Sequence, residues 1–358
     1  MNDRAMASTI PIRRILLLRP SALGDVCRTA PVLASLRAQW PEAEIHWIVQ
    51  SAFCPAVEAH PALTGVIPFP RSEFRGALTR PWKWLAMRKW LTSLSHEPWD
   101  IAIDCQGLAR TGLMMRASRA SVRVCDRAGR EGAWLAANRR VEVPIGIHEV
   151  DRMLSLAEAA GATVVPDATL YVPDEATAWW DASCGERPDG PFAVLATTSR
   201  WTSKAWPESH WVDLAERIIQ SNRVAWIALP GSPSEHALVA GIADAMHARN
   251  IPVVNYAGQT DVGQMMAVIA RASFTVSNDS AALHMALGLG ARCLGLFGPT
   301  DPAIVGPWNR PDLALRAPLE DGEQAAYRDK TLGDSIMRRL SVDVVFSHME
   351  SLSRVWGS

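Results

Sequence analysis

Long apolar runs are missing from this chain of 358 residues, and the best candidates, such as Val224–Pro230, are broken early. A membrane-spanning helix needs about 20 apolar residues, so we predict no spanning segment. The N-terminal stretch MNDRAMASTIPIRR is too short and too interrupted in its apolar part for a secretory signal. We therefore expect a cytoplasmic protein that would act on any lipid from the inner face of the cytoplasmic membrane.

Paired cysteines and an excess of charge are also lacking. The six cysteines are scattered and never form a C-x-x-C pair, so neither a zinc site nor a disulfide framework is predicted. The formal net charge of −1 excludes an obvious nucleic-acid binder. No G-x-G-x-x-G follows the first apolar run, which disfavours a nicotinamide dehydrogenase.

Short apolar runs alternate with helical patterns from one end of the chain to the other. This alternation predicts an α/β protein with parallel sheets and helices on both faces, and the length suits two domains. We expect two Rossmann-like domains with a ligand cleft between them. The predicted strands include Ile15–Leu18, Ile45–Val49, Ile101–Ile103 and Val122–Val124, and then Phe192–Ala196, Val224–Leu229, Phe274–Val276 and Cys293–Leu296.

The stretch Pro173–Pro191 holds three prolines and two glycines and shows no strand pattern, so it predicts the domain boundary. We expect an N-terminal domain over residues 1–175 and a C-terminal domain over residues 189–335. In the remaining segment, 336–358, an amphipathic helix is predicted at about Val342–Val355. We expect this last helix to pack back on the N-terminal domain.

In open parallel sheets, ligands bind at the carboxyl ends of strands. The first strand runs into RPSALGD, where Ser21 and Gly24 make the turn and Asp25 opens a helix. Asp25 is either a functional carboxylate or a simple N-cap, and the dipole that stabilises its charge also weakens it as a base. A later strand ends in DCQGLARTG, which brings Asp104 and Arg110 to the same rim.

In the second half, the loop TTSRWTSK offers hydroxyls and a lysine after a strand, and Thr198 and Lys204 suit a phosphate. Lys204 could equally be a solvated surface cation. Glu235, in the first turn of the next helix, is either a ribose ligand or a routine first-turn acid. The string SNDSAALH around Asp279 places small residues where backbone N–H groups can approach a pyrophosphate, although a lone His284 is more often a core histidine.

Together these motifs resemble the bacterial heptosyltransferases, the ADP-heptose:lipopolysaccharide group of inverting glycosyltransferases. The resemblance covers nearly the whole chain and implies a GT-B fold, in which two Rossmann-like domains face each other across a cleft. It also implies that no metal is required, and the lack of a clear D-x-D motif agrees. The matching motifs are S-x-x-G-D at Ser21–Asp25, D-C-Q-G-L at Asp104–Leu108, H-E-V-D-R at His148–Arg152, K-x-W-P at Lys204–Pro207, N-D-S-A-A-L-H at Asn278–His284 and F-G-P-T-D-P at Phe297–Pro302.

The resemblance also implies roles for single residues. Asp25 would be the general base, and the co-substrate would be a nucleotide-sugar of the ADP-heptose type, without any cofactor. The donor-binding residues would be Thr198 and Lys204 for the phosphates, Glu235 for the ribose, Asp279 for the sugar, and Ser280, Ala281 and His284 along the phosphate site. The family's usual N-D-S-G-P-x-H lacks its Gly and Pro in this chain, which alters the contact to the diphosphate.

Basic side chains concentrate in the first half of the chain. Residues 71–90 carry six cations against Glu73, and residues 110–140 carry eight arginines against two acids. We expect this half to receive an anionic, lipid-linked saccharide through Ser21, Gly24, Arg110 and Arg123. The stretch PWKWLAMRKWL either lies against an anionic membrane surface or forms an ordinary helix that buries its tryptophans on the sheet.

Three hypotheses follow. The first is a glycosyltransferase that moves heptose from ADP-heptose to a lipopolysaccharide-core acceptor by single displacement with inversion. The second is a protein of the same fold with another donor, either a transferase or a nucleotide-sugar epimerase. The third is a non-catalytic relative that binds a nucleotide-sugar or a glycolipid. The carboxylate of Asp25 favours a catalytic protein over the third.

Overall fold

The computed structural model describes residues 11–76, 79–183, 185, 187–320, 323 and 329–356. The first ten residues, which enter the expectation of no signal peptide, and Cys184 lie outside this part of the chain. Within it, no helix combines the length and the apolar character needed to cross a bilayer. The five cysteines that it includes are free, buried thiols.

The N-terminal domain is built on a parallel six-stranded sheet with strand order β3-β2-β1-β4-β5-β6. Its central strands are buried on both faces, which explains their continuous apolar runs. The strands are β1 (Arg14–Leu18), β2 (Glu44–Gln50), β3 (Gly65–Phe69), β4 (Ile101–Asp104), β5 (Val122–Asp126) and β6 (Arg139–Val141). The helices are α1 (Leu23–Cys27), α2 (Ala30–Gln39), α3 (Arg71–Phe74), α4 (Pro81–Ser93), α5 (Ala109–Ser118) and α6 (Glu149–Ala160).

The C-terminal domain repeats this plan with a second parallel sheet, in the order β12-β11-β10-β7-β8-β9. The strands are β7 (Phe192–Ala196), β8 (Trp226–Leu229), β9 (Val253–Asn255), β10 (Phe274–Asn278), β11 (Cys293–Phe297) and β12 (Ala314–Arg316). The helices are α7 (Asp174–Ala182), α8 (Glu208–Gln220), α9 (His236–His247), α10 (Val262–Arg271), α11 (Ala281–Gly288), α12 (Pro302–Val305), α13 (Lys330–Arg338) and α14 (Val342–Trp356). The predicted pair of parallel sheets is therefore present.

Each sheet has a point where the strand order reverses. In the N-terminal sheet this point lies between β1 and β4, and in the C-terminal sheet it lies between β7 and β10. The loops that leave neighbouring strands there diverge to opposite faces and open a crevice at the carboxyl edge. The topology therefore predicts one ligand site in each domain, at these two positions.

The predicted boundary stretch contains a helix, α7, which packs on the C-terminal domain. Trp180 stacks on Phe192 at a centroid distance of 5.3 Å, and Arg271 forms an ion pair of 3.0 Å with Asp181. The prolines and glycines of this stretch lie at the two ends of the helix, so the composition indicated a linker while the interior forms a helix.

The last helix, α14, packs on α8 of the C-terminal domain, so our expectation that it packs on the N-terminal domain is wrong. Arg223 forms an ion pair of 3.2 Å with Glu350, and the guanidinium of Arg217 lies 4.8 Å from the ring centroid of Phe346. The preceding turn explains this position, because the carbonyl of Leu340 accepts a hydrogen bond of 2.7 Å from the buried indole of Trp206. That bond anchors the start of α14 to the C-terminal domain.

Candidate functional site

Asp25 lies beyond the carboxyl end of β1, beside the point where the N-terminal strand order reverses. It is the third residue of α1, and its carboxylate accepts a hydrogen bond of 3.3 Å from the backbone N–H of Ala22, the N-cap residue. Asp25 is therefore not the N-cap itself. Its side chain keeps 26% of its surface exposed.

Two arginines flank the carboxylate of Asp25. Arg19 Nη2 lies 2.9 Å from Asp25 Oδ2, and Arg28 binds the other oxygen through its own Nη2. Burial raises the pKa of Asp25, but the guanidiniums of Arg19 and Arg28 and the hydrogen bonds to the carboxylate hold that pKa well below the usual range for an aspartate. Asp25 is therefore ionised at neutral pH and ready to accept a proton, at the cost of some basicity.

Neither arginine is among the site residues predicted from the sequence. Arg28 had a usable signal, since it lies three residues after Asp25 and such pairs meet on a helix. No sequence signal indicated Arg19, because the sequence does not show that the chain turns back after β1. Arg19 also donates a hydrogen bond to the carbonyl of Cys105 and so links the loops that follow β1 and β4.

The other expected acceptor residues at this edge form a connected group. Arg110 Nη2 donates a hydrogen bond of 2.9 Å to Ser21 Oγ, and the Ser21 N–H donates one of 3.2 Å to Gln106 Oε1. Burial lowers the pKa of Arg110, and the positive charges of Arg71 and Arg200 lower it further. The group thus lies in a cationic setting to which the charge of Arg200 from the C-terminal domain contributes, partly offset by Glu131 and Asp104.

Arg123 does not belong to this group, which corrects our expectation. It is the second residue of β5, three residues before the carboxyl end of the strand, which corresponds to roughly 10 Å along the strand. Its guanidinium donates hydrogen bonds to the carbonyls of Ala136 at 2.8 Å and Ala120 at 2.6 Å. The high local density of arginine indicated a binding surface, but Arg123 has a structural role near the amino end of the strand.

Asp279 is the hub of the C-terminal half of the site. Its Oδ2 lies 2.6 Å from Lys204 Nζ and accepts a hydrogen bond of 2.8 Å from Thr300 Oγ1. The side chains of Lys204 and Asp279 are only 15% and 7% exposed, which excludes a solvated surface lysine. Thr300 belongs to the predicted F-G-P-T-D-P loop after β11, although its bond to Asp279 was not foreseen. The loops after β7, β10 and β11 therefore meet at this carboxylate.

The start of α11 lies beside this ion pair. Ser280 is the N-cap residue, and its hydroxyl lies 2.9 Å from that of Ser277. His284 is buried one turn into the helix, where burial, and then the charge of Arg28, lower its pKa to about 3. The neutral imidazole and the free backbone N–H groups of the first turn suit an anion such as a phosphate.

The two remaining donor candidates lie at the neighbouring strand ends. Thr198 follows β7 and is half-buried. Glu235 lies in the loop after β8, where its carboxylate accepts hydrogen bonds from the N–H of Ser232 at 2.7 Å and from the Ser232 hydroxyl at 2.6 Å. Glu235 therefore caps its own turn.

The two halves of the site touch directly. A Cβ placed on Gly24 would lie 3.0 Å from His284 Cδ2 and 3.4 Å from Ala281 Cα, so glycine permits this close approach. Arg28 Nη1 donates a hydrogen bond of 3.0 Å to the carbonyl of Val305, and His148 Nε2 lies 3.1 Å from the carbonyl of Gly306. His148 also caps α6 by accepting from the Val150 N–H at 3.1 Å.

This arrangement places an ionised carboxylate opposite a cluster of groups suited to an anion, with the domain interface between them. Such a site can take a proton from a nucleophile on one side and stabilise a leaving diphosphate on the other. In the described part of the chain, no group of three or more His, Cys, Asp or Glu side chains is arranged to hold a metal ion.

Known proteins similar to this chain identify its family and include solved structures of the same fold. The chain matches the family described as Glycosyltransferase family 9 (heptosyltransferase) over residues 87–332. A relative from Pseudomonas aeruginosa, lipopolysaccharide heptosyltransferase 1, is 29% identical over 84% of this chain and 83% of its own length. The solved structure of E. coli heptosyltransferase WaaC with ADP has a TM-score of 0.74 at 25% identity and covers 94% of this chain and 99% of that one. E. coli ADP-heptose lipopolysaccharide heptosyltransferase II has a TM-score of 0.76 at 20% identity, with coverages of 96% and 100%. The predicted GT-B fold is confirmed.

Proposed function

The chain belongs to glycosyltransferase family 9, the heptosyltransferases, and we propose that it transfers heptose from ADP-heptose to an anionic, lipid-linked saccharide of the lipopolysaccharide core. The observation that carries this proposal is the position of Asp25 across the domain interface from the Lys204–Asp279 pair and the start of α11. The relatives named above supply the identity of the sugar, the nucleotide and the acceptor.

On the donor side, the ADP diphosphate would lie between Lys204 and the backbone N–H groups at the start of α11. Lys204 would then exchange its contact with Asp279 for a phosphate oxygen, which leaves the Asp279 carboxylate to accept hydrogen bonds from sugar hydroxyls. Ala281 takes the place of the family's usual glycine, and its N–H still points out of the first helical turn. Thr198 adds a hydroxyl to the phosphate site, and Glu235 would turn from Ser232 to the ribose.

On the acceptor side, the cationic group around Arg110 and Ser21 would bind the acidic groups of the saccharide. Bidentate pairing with a carboxylate or phosphate is the contact for which arginine is best suited. Arg71 and Arg200 add positive charge from either side of the cleft. Because Arg200 comes from the C-terminal domain, acceptor binding would favour the closed arrangement of the two domains.

The reaction would be a single displacement with inversion. An acceptor hydroxyl attacks the anomeric carbon, its proton passes to Asp25, and the bond from that carbon to the diphosphate oxygen breaks as ADP leaves. Lys204, Arg28 and the start of α11 supply positive charge for the leaving group. We therefore propose metal-independent transfer, and activity should survive treatment with EDTA. Restoration of lost activity by an added divalent ion would contradict this.

The base assignment is tested by Asp25→Asn, which keeps the shape of the side chain and removes its proton acceptor. We expect transfer to fall by at least about a thousandfold, measured by mass spectrometry of the product, while calorimetry shows unchanged ADP affinity. Asp244→Asn, on the exposed face of α9, is the matched control and should behave like the wild type. Retained transfer in Asp25→Asn would remove Asp25 from the mechanism.

The identity of the donor has its own test. A ligand that binds only the folded state raises the midpoint of thermal unfolding, and at a fixed ligand concentration the shift grows with the logarithm of its affinity. We expect ADP to stabilise the protein more than UDP or GDP at equal concentration. A larger shift with UDP or GDP would replace heptose transfer by transfer from another nucleotide-sugar on the same fold.

A further inference from the structure

Helix α4 presents large apolar side chains to solvent. Trp82, Trp84 and Leu85 are 68%, 44% and 60% exposed, and no residue of the helix is buried. The third tryptophan, Trp90, is half-buried and lies against Phe69 at a centroid distance of 5.4 Å. The expectation that this helix buries its tryptophans on the sheet is therefore wrong for two of the three.

The exposed side chains share the outward face of the helix. At roughly 100° per residue, Leu85 and Lys89 lie at the middle of this face, Trp82 flanks them on one side, and Arg88 and then Trp84 flank them on the other. Arg88 lies over the ring of Trp84 at 5.6 Å. The first turns thus present apolar surface and the following turn presents cations. Large apolar side chains that are exposed together with cations on one face are typical of an interaction surface rather than of ordinary protein surface.

The charge around this face has one sign. Residues 71–93 contain six basic side chains and a single acid, Glu73, and the helix itself has no acid. Lys83 donates a hydrogen bond of 3.1 Å to the carbonyl of Arg75, while Arg80, Arg88 and Lys89 are exposed. Exposed tryptophans combined with cations complement an anionic lipid surface, where aromatic rings lie at the headgroup level and cations meet the phosphates.

The topology places this face at the same edge as the candidate active site. The helix connects the parallel strands β3 and β4, so it runs opposite to them and its first turn lies at their carboxyl ends. It packs between α3 and α5, whose first turns carry Arg71 and Arg110. A surface bound to the first turn of α4 would therefore lie beside the cationic group expected to receive the acceptor.

We propose that the outward face of α4, formed by Trp82, Trp84 and Leu85 with Arg80, Arg88 and Lys89, docks on an anionic membrane surface. The first turn enters the boundary between headgroups and acyl chains, and the cations contact lipid phosphates. This inference rests on the proposed function, because docking matters for an acceptor that is anchored in lipid. It assigns the membrane contact to one helix instead of the basic half as a whole.

The binding test uses the full chain without substrates. Sedimentation with vesicles of phosphatidylethanolamine and phosphatidylglycerol is compared with sedimentation with vesicles of phosphatidylcholine alone. We expect binding to the anionic vesicles that weakens with salt. The combined substitutions Trp82→Ala, Trp84→Ala and Leu85→Ala should reduce the partition coefficient by at least about tenfold, and the pair Arg88→Glu with Lys89→Glu should do the same.

The matched control combines Leu238→Ala with Val344→Ala, which removes side chains that are 44% and 49% exposed in the C-terminal domain. This control should bind vesicles like the wild type. Wild-type protein that ignores anionic vesicles would overturn the proposal and leave a protein partner as the occupant of α4. Unchanged vesicle binding by both α4 variants would also overturn it.

An activity measurement separates this proposal from the proposed function. Transfer is measured with a water-soluble, deacylated acceptor and with the same saccharide carried by lipid in anionic vesicles. The apolar α4 variant should keep its kcat/KM with the soluble acceptor and lose about tenfold with the vesicle-bound one. An equal loss with both acceptors would contradict docking. Wild-type protein that transfers to neither acceptor would refute the proposed function, while the vesicle-binding result would stand on its own.

Discussion

The ion pair between Lys204 and Asp279 allows a structural role and a ligand-binding role to be separated in one set of variants. Lys204→Met removes the cation, preserves most of the side-chain volume and leaves the buried Asp279 carboxylate with the hydroxyl of Thr300. Removing one partner of a buried pair costs about 3–5 kcal/mol. Because Lys204 is 15% exposed and the bond from Thr300 remains, we expect the free energy of unfolding to fall by about 2–3 kcal/mol.

Asp279→Asn should cost a similar amount, since it leaves Lys204 as a cation without its carboxylate. The double variant, Lys204→Met with Asp279→Asn, contains no buried charge at this position. We expect it to recover about 2 kcal/mol relative to the sum of the single variants, which is the coupling energy of the pair. The free energies of unfolding of the wild type, the two single variants and the double variant are measured by urea titration with tryptophan fluorescence as the signal. Trp206 lies close to the site and contributes to this signal.

Affinity for ADP should respond differently. The loss of a charge-assisted hydrogen bond to phosphate costs about 1.5–3 kcal/mol, which corresponds to a dissociation constant about 10- to 150-fold higher. The double variant should therefore regain stability without regaining ADP affinity, as measured by calorimetry. Two results would refute this reasoning. A coupling energy near zero would show that the pair does not stabilise the fold, and unchanged ADP affinity in Lys204→Met would remove Lys204 from the phosphate site.

Further predictions concern both sides of the cleft. The pKa of His284 is about 3 in the folded protein and about 6.5 in an unfolded chain. The unfolded state therefore binds the extra proton, and the free energy of unfolding should fall as the pH drops below about 6.5, by at most about 1.4 kcal/mol per pH unit from this residue. Urea titrations at several pH values should show a weaker dependence in His284→Gln. Gly24→Ala should lower kcat at least about tenfold, because the added methyl contacts His284. Arg110→Met should raise KM for the acceptor about tenfold, whereas Arg123→Met should leave that KM unchanged and lower stability. Equal effects of the two arginine substitutions on KM would contradict the placement of the acceptor.

Much of the candidate site was predictable because parallel sheets bring strand ends together. The residues after β1, β4, β7, β8, β10 and β11 lie far apart in the sequence, and the shared carboxyl edge collects them. The motif around Asp279 was informative because small and polar residues at a strand end are difficult to explain by packing. The order of the strands was not needed for this prediction, since every loop at the carboxyl edge is a candidate.

The missing parts have identifiable physical causes. Periodicity shows that β5 is a strand but does not show that Arg123 lies near its amino end. The strands β6 and β12 have only three residues each and contain arginine, and those of β6 are exposed, so the apolar runs that predicted the other strands are absent. The contact between Asp25 and Arg19 depends on how the chain turns after β1. Local composition does not determine the place of Arg123 in β5, the strands β6 and β12, or the contact between Asp25 and Arg19.

The sequence alone determined the alternation of strands and helices, the two-domain plan and the set of polar residues at strand ends, because these follow from local periodicity and chain direction. Only the tertiary structure decided which charges meet. It paired Asp25 with two arginines, buried Lys204 against Asp279, brought Gly24 against His284 and left Trp82 on the surface. These outcomes depend on the packing of elements that are distant in the chain, and on the burial and charge that such packing creates, which no local pattern encodes.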